Sequence, residues 1–414
     1  MQIETFSNGQ DERLRMCRPI SPIGWKGARQ RHRFGRARQI GQTRPATLRR
    51  LASLSPPAML LWMPAAMAAV GLLPTPAWAH VKWFEPYDVT APPVPVGAVL
   101  TRHFLLALIG FTLLLVGSFL VDRLAASLGG VLSAPGRHED LEERLLRAGT
   151  GAFFMALFAT GGVILTPELR TDADWSAWLQ LGIAASMFSA RTCALGSLGI
   201  LVLYGFGAAQ FGVFHLSDYP MFIGLAAYLG LTSVTSERLR SQRMLILHAS
   251  ICVSLMWGAV EKWAYPQWTF PLLAERPYLT FGLLPEDFMV VAGFVEFAFA
   301  FYILTGFGLL RLAILGLGTI FAAAILDFGK VDAIGHLPIL IAMAAMFLHG
   351  PTQLNLWLHN IPDSTFRKAR TAGVAFATTV FIFFAAYYGL QYAEYGRGSH
   401  SHKVAAFAAP AHTS

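Results

Sequence analysis

Ten mostly apolar windows divide this chain: 103–122, 149–166, 175–190, 193–212, 219–235, 243–263, 286–307, 311–327, 335–350 and 371–391. A bilayer span needs about 20 such residues, fewer where neighbouring segments shield its ends. Inside lipid every backbone amide must be paired within the protein, which in windows of this length means helices. Composition agrees: 55% of the 414 residues are hydrophobic and 14% charged, with a mean hydropathy of +0.50, whereas soluble proteins carry about 25% charged residues. The expected fold class is all-α, a polytopic membrane helical bundle of about ten transmembrane helices, and the lipid bilayer is its first partner.

The net charge of +8 does not describe the bundle. Residues 1–50 hold twelve Lys and Arg against Glu4, Asp11 and Glu12, a local +9, so the rest of the chain sums to −1. Charge alone would allow a basic nucleic-acid-binding arm. An apolar run over 58–73 and a small-x-small close at Ala77-Trp78-Ala79 follow directly, however, and together read as a secretory signal peptide, with no nucleic acid as partner. The other reading is a retained anchor over 58–78, interrupted by Pro64 and Pro74. Cys17, Cys193 and Cys252 form no CxxC and no disulfide framework.

Basic residues set the expected orientation, because Lys and Arg stay on the cytoplasmic side. Arg123, Arg137, Arg144 and Arg147 follow the first window, Arg191 the third, and Arg238, Arg240 and Arg243 the fifth; Arg311 and the cluster Arg367, Lys368 and Arg370 continue the alternation. The expectation is a multi-pass protein of the bacterial inner membrane with both mature termini periplasmic. Residues 138–147 mix both signs and read as a short cytoplasmic surface helix. The loop 264–285, rich in aromatic residues and proline, reads as structured at headgroup level.

Two stretches resemble one another. Phe211-Gly212-Val213-Phe214-His215-Leu216-Ser217-Asp218-Tyr219-Pro220 and Phe328-Gly329-Lys330-Val331-Asp332-Ala333-Ile334-Gly335-His336-Leu337-Pro338 both follow an apolar window and open another. Each puts a His and an Asp in a helix-loop-helix corner. The repeat extends further: Glu168 and Glu261 lie at the outer ends of windows two and six, and Gln180 corresponds loosely to Glu296. The chain thus divides into a basic region and signal peptide (1–79), a periplasmic N-terminus with the first span and a cytoplasmic loop (80–148), a diverged four-helix repeat (149–242), a second four-helix unit (243–350), and a last span with a His-containing periplasmic tail (351–414). The two repeats are parallel, not inverted.

The second unit resembles the DoxX/DoxD-like family of four-helix membrane proteins. The residues that carry the likeness are Trp257-Gly258-Ala259-Val260-Glu261-Lys262, Gly293-Phe294-Val295-Glu296, Thr305-Gly306 with Arg311, and Asp332 to Pro338, over about a quarter of the chain. The resemblance implies a helical bundle linked to membrane redox systems, including quinone-coupled ones, with a redox partner subunit.

The polar residues in apolar windows define the candidate site: Glu261, Glu296, Asp332, His336, His215 and Asp218. A charged side chain at mid-bilayer costs about 2.5–3.5 kcal/mol on insertion scales, so Glu296 is expected to be paired, protonated or set in a wet cavity, either as a proton-relay or ligand-orienting acid or as a neutral acid bonding a neighbouring helix. Lys262, Lys330 and His336 are its candidate partners. Glu261 and Lys262 are adjacent and cannot share a helix face; Glu261 is expected inward and Lys262 to snorkel. Asp332 and His336, spaced i, i+4, make either a proton-transfer or metal pair or a helix cap with its satisfied histidine; the same alternatives hold for His215 and Asp218. His248 reads as a packed histidine.

Function stays open among three readings. One is an accessory component of a periplasm-facing redox system, with a quinol headgroup or protons at the acidic pocket. Another is a copper or other transition-metal handling protein using His80, freed by cleavage after Ala79, with His103, His400 and His402. Cu(II) favours such nitrogen donors. The third is a scaffold without ligand. Phosphate-loop, hydrolase, haem-attachment and flavin motifs are absent from the sequence.

Overall fold

The computed structural model describes residues 81–85, 87–128 and 139–396. The expected signal peptide, His80, His400 and His402 lie outside these residues. The described part is helical, apart from an isolated β-bridge between Val163 and Arg170. Ten principal helices follow in chain order: α1 (Arg102–Leu128), α2 (Glu139–Thr160), α3 (Asp174–Ser186), α4 (Cys193–Phe211), α5 (Pro220–Thr232), α6 (Arg243–Ala264), α7 (Pro285–Thr305), α8 (Leu310–Phe328), α9 (Lys330–His349) and α10 (Thr365–Tyr395).

Seven helical segments among the described residues are long and apolar enough to cross a membrane, those containing α1, α4, α6, α7, α8, α9 and α10. This is the pattern of an integral membrane protein. The other three helices occupy expected windows but differ in kind. α3 and α5 have 13 residues each. α2 is longer, but its first half carries Glu139, Asp140, Glu142, Glu143, Arg144 and Arg147. That corrects the expectation of a separate surface helix there, since residues from Glu139 onward run without a break into the apolar part of α2.

Neighbours in sequence pack as neighbours in space: α2 on α3, α3 on α4, α4 on α5, then α6 on α7, α7 on α8 and α8 on α9. Two further seams join the halves, α5 against α6 and α9 against α2, while α1 and α10 pack on each other and on α7 and α6. α6 therefore touches α5, α7, α9 and α10, and most of its length is buried.

Both Phe-Gly pairs break the chain in the same way. Gly212 and Gly329 adopt φ +92° and +73°, values open to glycine but strained for other residues. After them the corners diverge. Val213–Leu216 forms one turn and the chain bends again before Pro220, so His215 and Asp218 do sit in a corner. After Gly329, α9 starts at once, with Asp332, His336 and even Pro338 inside it. The expected loop around the second pair is corrected accordingly, and α9 begins five residues before the apolar window.

Polar side chains brace the opposite end of the bundle. Asp122 accepts from the Tyr302 hydroxyl and from the amides of Gly308 and Leu309, holding the turn between α7 and α8. Asn355 is fully buried and donates to the carbonyls of Ile303, Leu304 and Gly306 at 3.2, 3.0 and 2.8 Å, completing the end of α7. Replacing it with Ala orphans these buried acceptors, a cost of about 1–3 kcal/mol. Asn355→Ala should lower the thermal midpoint of the purified protein by a matching amount, whereas Gln353→Ala on the exposed face of the same short helix should leave it unchanged.

Candidate functional site

A dense polar cluster forms where the segment before α1 meets α6 and the turn before α5. Lys82, whose side chain is 1% exposed, places its Nζ 2.5 Å from both Asp218 Oδ2 and Glu261 Oε2. Its ammonium also lies 5.5 Å from the Tyr87 ring centre and 5.3 Å from that of Trp268, close enough for cation–π attraction. Burial alone would lower the basicity of Lys82, but Asp218, Glu261 and Glu168 outweigh it and hold the ammonium charged above its usual range. Burial, with Glu261 adding to it, pushes the Asp218 carboxyl up against the pull of Lys82 and His215. The two shifts differ in origin: attraction to the carboxylates raises Lys82 against its burial, whereas burial comes first in raising Asp218.

The segment is laced in place along its length. Val94 donates its amide to the Ala264 carbonyl at 2.9 Å; Tyr265 and Gln391 donate to the Ala91 carbonyl and Tyr388 to that of Val94. Trp83 lies over α9, its ring 4.9 Å from that of His336 and against Gly335, where a Cβ would run into the indole.

A second group adjoins the first. His215 Nε2 lies 3.0 Å from Glu168 Oε1 and 3.1 Å from the Tyr87 hydroxyl, and Tyr219 donates its hydroxyl to the same Glu168 oxygen. Glu168 is positioned by the small loop closed at Val163 and Arg170. Glu394 of α10 caps the one-turn helix by accepting from the Phe214 amide at 2.8 Å. One donor atom each from Glu168, His215 and Asp218 lies within 4.8 Å of the others.

In the second half, Lys262 reaches Glu296 Oε2 at 2.5 Å, and Asp332 Oδ2 bonds His336 Nδ1 at 2.9 Å, both side chains buried. His336 is held between Trp83 and Phe321. A cavity of about 90 Å³ connects these groups, with Asp218, Glu261, Lys262, Glu296 and His336 in its walls among Trp83, Tyr265, Trp268, Phe288 and Phe321. One water needs about 10–15 Å³ on this measure, so the space admits several waters or a small ring.

Of the expected site residues, Asp218, Glu261, Glu296 and His336 thus share one cavity. Asp332 stands behind His336, and His215 stands with Glu168 beside Asp218. Neither aspartate is a helix cap: Gly329 and Tyr219 occupy the cap positions without a side-chain bond, and Asp218 is turned to Lys82 instead. Glu261 faces inward, and Lys262, one of the three candidate partners of Glu296, is the one that pairs with it. Gln180, the loose counterpart of Glu296, braces the 163–164 carbonyls. His103, expected among metal donors, pairs with Asp287 at 2.6 Å with its side chain 65% exposed. His248 is packed and buried, and Cys193 and Cys252 are free thiols.

Sequence reasoning missed Lys82, Tyr87 and Trp83. The available signal was a Lys-Trp-Phe triplet with Tyr87 close behind, too polar to count as a span and too aromatic for an open linker. The chain matches no protein-family model, and no curated protein or solved structure matches it.

Proposed function

We propose that this protein is a DoxX-like component of a quinone-linked redox system, its ten helices oriented with the cavity toward the periplasm, and that the cavity holds a quinol headgroup. The observation that carries the reading is the make-up of the cavity wall. Aromatic and apolar side chains suited to a ring stand beside Glu261, Glu296 and His336, groups able to accept hydrogen bonds and protons from ring hydroxyls. Ligand sites generally combine apolar walls with a few convergent polar groups in this way.

In this reading the protein is the holder and proton acceptor. Oxidation of a bound quinol sends two electrons to a redox partner subunit and two protons to the wall, where Glu296 and His336 receive them. Lys262 holds the Glu296 carboxylate in place, and Asp332 fixes the His336 ring so that Nε2 is available. Glu261 is engaged by Lys82 and holds the shape of the wall.

Binding of a water-soluble benzoquinol to the purified protein, followed by quenching of tryptophan fluorescence and by calorimetry, tests the proposal. Glu296→Gln should weaken binding at least about tenfold, equivalent to 1.4 kcal/mol, with the thermal midpoint kept; His336→Leu should weaken it as much but lower the midpoint, because it leaves the buried Asp332 carboxylate without its partner. Unchanged affinity in Glu296→Gln, or no binding by the parent protein, would remove the reading and leave a scaffold without ligand as the better description.

A further inference from the structure

We infer that the end of the bundle opposite Lys82 binds one anionic phospholipid, with its phosphate on Lys368 and its acyl region between α1, α7 and α10. The site is separate from the quinol cavity, which takes residues 288–296 of α7, and its argument does not depend on that reading. A cavity of about 230 Å³ lies at the last turn of α7, walled by α1, α7, the start of α10 and the chain that leads into it. It is larger than the quinol cavity of about 90 Å³. On α10 the lining positions 365, 368, 371, 372 and 375 fall on one helix face.

Depth decides the class of occupant. Asp122 and Thr305, both in the wall, are the last residues of two segments long and apolar enough to cross a membrane, and Thr365 is the first residue of a third. Three such segments end at the cavity, the level where hydrocarbon gives way to headgroups. Trp357 and Phe366, next in sequence to the lining residues Leu358 and Thr365, are 64% and 66% exposed, as aromatic residues are at that level. One turn deeper the wall becomes apolar, with Phe119, Phe301, Ala372 and Ala375. A polar mouth over an apolar floor suits the phosphate and first acyl carbons of a lipid, whose remaining chain stays in the bilayer.

Charge selects the headgroup. Residues 351–370 carry Arg367, Lys368 and Arg370 against Asp363 alone, a formal +2 with the histidines neutral. Asp363 is bonded to Arg367 at 2.9 Å. Asp122, the other acid in the wall, accepts from the Tyr302 hydroxyl and from the amides of Gly308 and Leu309. Lys368 donates to the His359 carbonyl, which fixes its ammonium at the mouth, and an ammonium with three N–H groups has further donors for phosphate oxygens. The His359 ring is itself held on Phe307, with ring centres 4.1 Å apart. Phosphatidylcholine brings its own cation to this basic mouth, whereas a lipid of net negative charge complements it, and basic pockets between helices at this depth are suited to anionic headgroups.

The test uses the full-length protein purified in detergent, stripped of lipid and titrated with dioleoyl phosphatidylglycerol or dioleoyl phosphatidylcholine, with bound lipids counted by native mass spectrometry. One phosphatidylglycerol should bind at least about tenfold more tightly than phosphatidylcholine. Lys368→Gln, which removes the charge, and Ala375→Leu, which fills the floor, should each lower that affinity at least about tenfold. Arg238→Gln, an exposed basic position on the short helix between α5 and α6, should leave it unchanged, as should Glu296→Gln in the quinol cavity. Ala375→Leu keeps every charge and decides the matter if Lys368→Gln fails to fold. Equal affinity for the two lipids in the parent protein, undiminished binding in a folded Lys368→Gln or in Ala375→Leu, or an equal loss in Arg238→Gln would each overturn the proposal. Displacement of the lipid by inorganic phosphate at matched ionic strength would overturn it as well, in favour of a soluble anion.

Discussion

Lys82→Met should be among the most damaging single substitutions in the molecule, lowering stability by about 3–5 kcal/mol, the range for breaking a buried ion pair from one side. Two carboxylates, Asp218 and Glu261, each lose an ammonium at 2.5 Å and stay buried. The methionine fills a similar volume, so the loss is electrostatic and not a cavity effect. Thermal unfolding of the purified variant reads it directly. The deficit should shrink on acidification. The folded-state value of Asp218 already lies above the ordinary 3.8, and without Lys82 it rises further. The penalty is therefore complete above the folded value, declines as pH falls through it, and disappears for this group below 3.8. Adding Asp218→Asn and Glu261→Gln to Lys82→Met should recover much of the loss at neutral pH. If Lys82→Met unfolds at the parent midpoint, the ammonium is not what holds the seam.

Gly293→Val should destabilise by about 3 kcal/mol, the upper end for overpacking. At this position α6 and α7 approach so closely that a Cβ would sit 2.9 Å from the Ala259 carbonyl oxygen and inside the contact distance of the Trp263 indole. A helix carbonyl cannot swing aside as a flexible side chain can, and Trp263 is itself stacked among Phe294, Phe297 and Phe104. The axes must separate, and Glu296, one turn further along α7, moves with them. Gly258→Val on α6, where an added Cβ meets nothing within 4 Å, is the control and should cost little beyond helix propensity. Comparable midpoints for the two variants would mean that the close approach does not set the packing.

Much of the fold was legible because lipid-length apolar windows carry a strong local signal. Helices occur at all ten windows, with α4, α6, α7 and α8 ending within two residues of the expected limits. The errors arose where a local pattern was overruled by partners distant in sequence. Asp218 looked like a cap because it precedes Tyr219-Pro220, yet it turns to a lysine 136 residues earlier. Asp332 looked like a cap because an apolar window begins at 335, but the glycine before Lys330 lets α9 start sooner. The acidic and histidine members of the cavity could be picked out because ionisable groups are rare in apolar windows and each demands an explanation. Lys82 stood outside any window, and its aromatic neighbours Trp83, Phe84 and Tyr87 were the one local sign of burial.

The seam at Lys82 also orders the life of the chain. Synthesis runs from the N-terminus, and this lysine is made long before Asp218 and Glu261, the groups that neutralise it. Until α5 and α6 are both in place, the Lys82 segment has no acidic seat to enter, and the two acids have no counter-charge. Closure of this seam is thereby tied to the meeting of α5 and α6, so that the earliest of these three residues to be made waits for the other two.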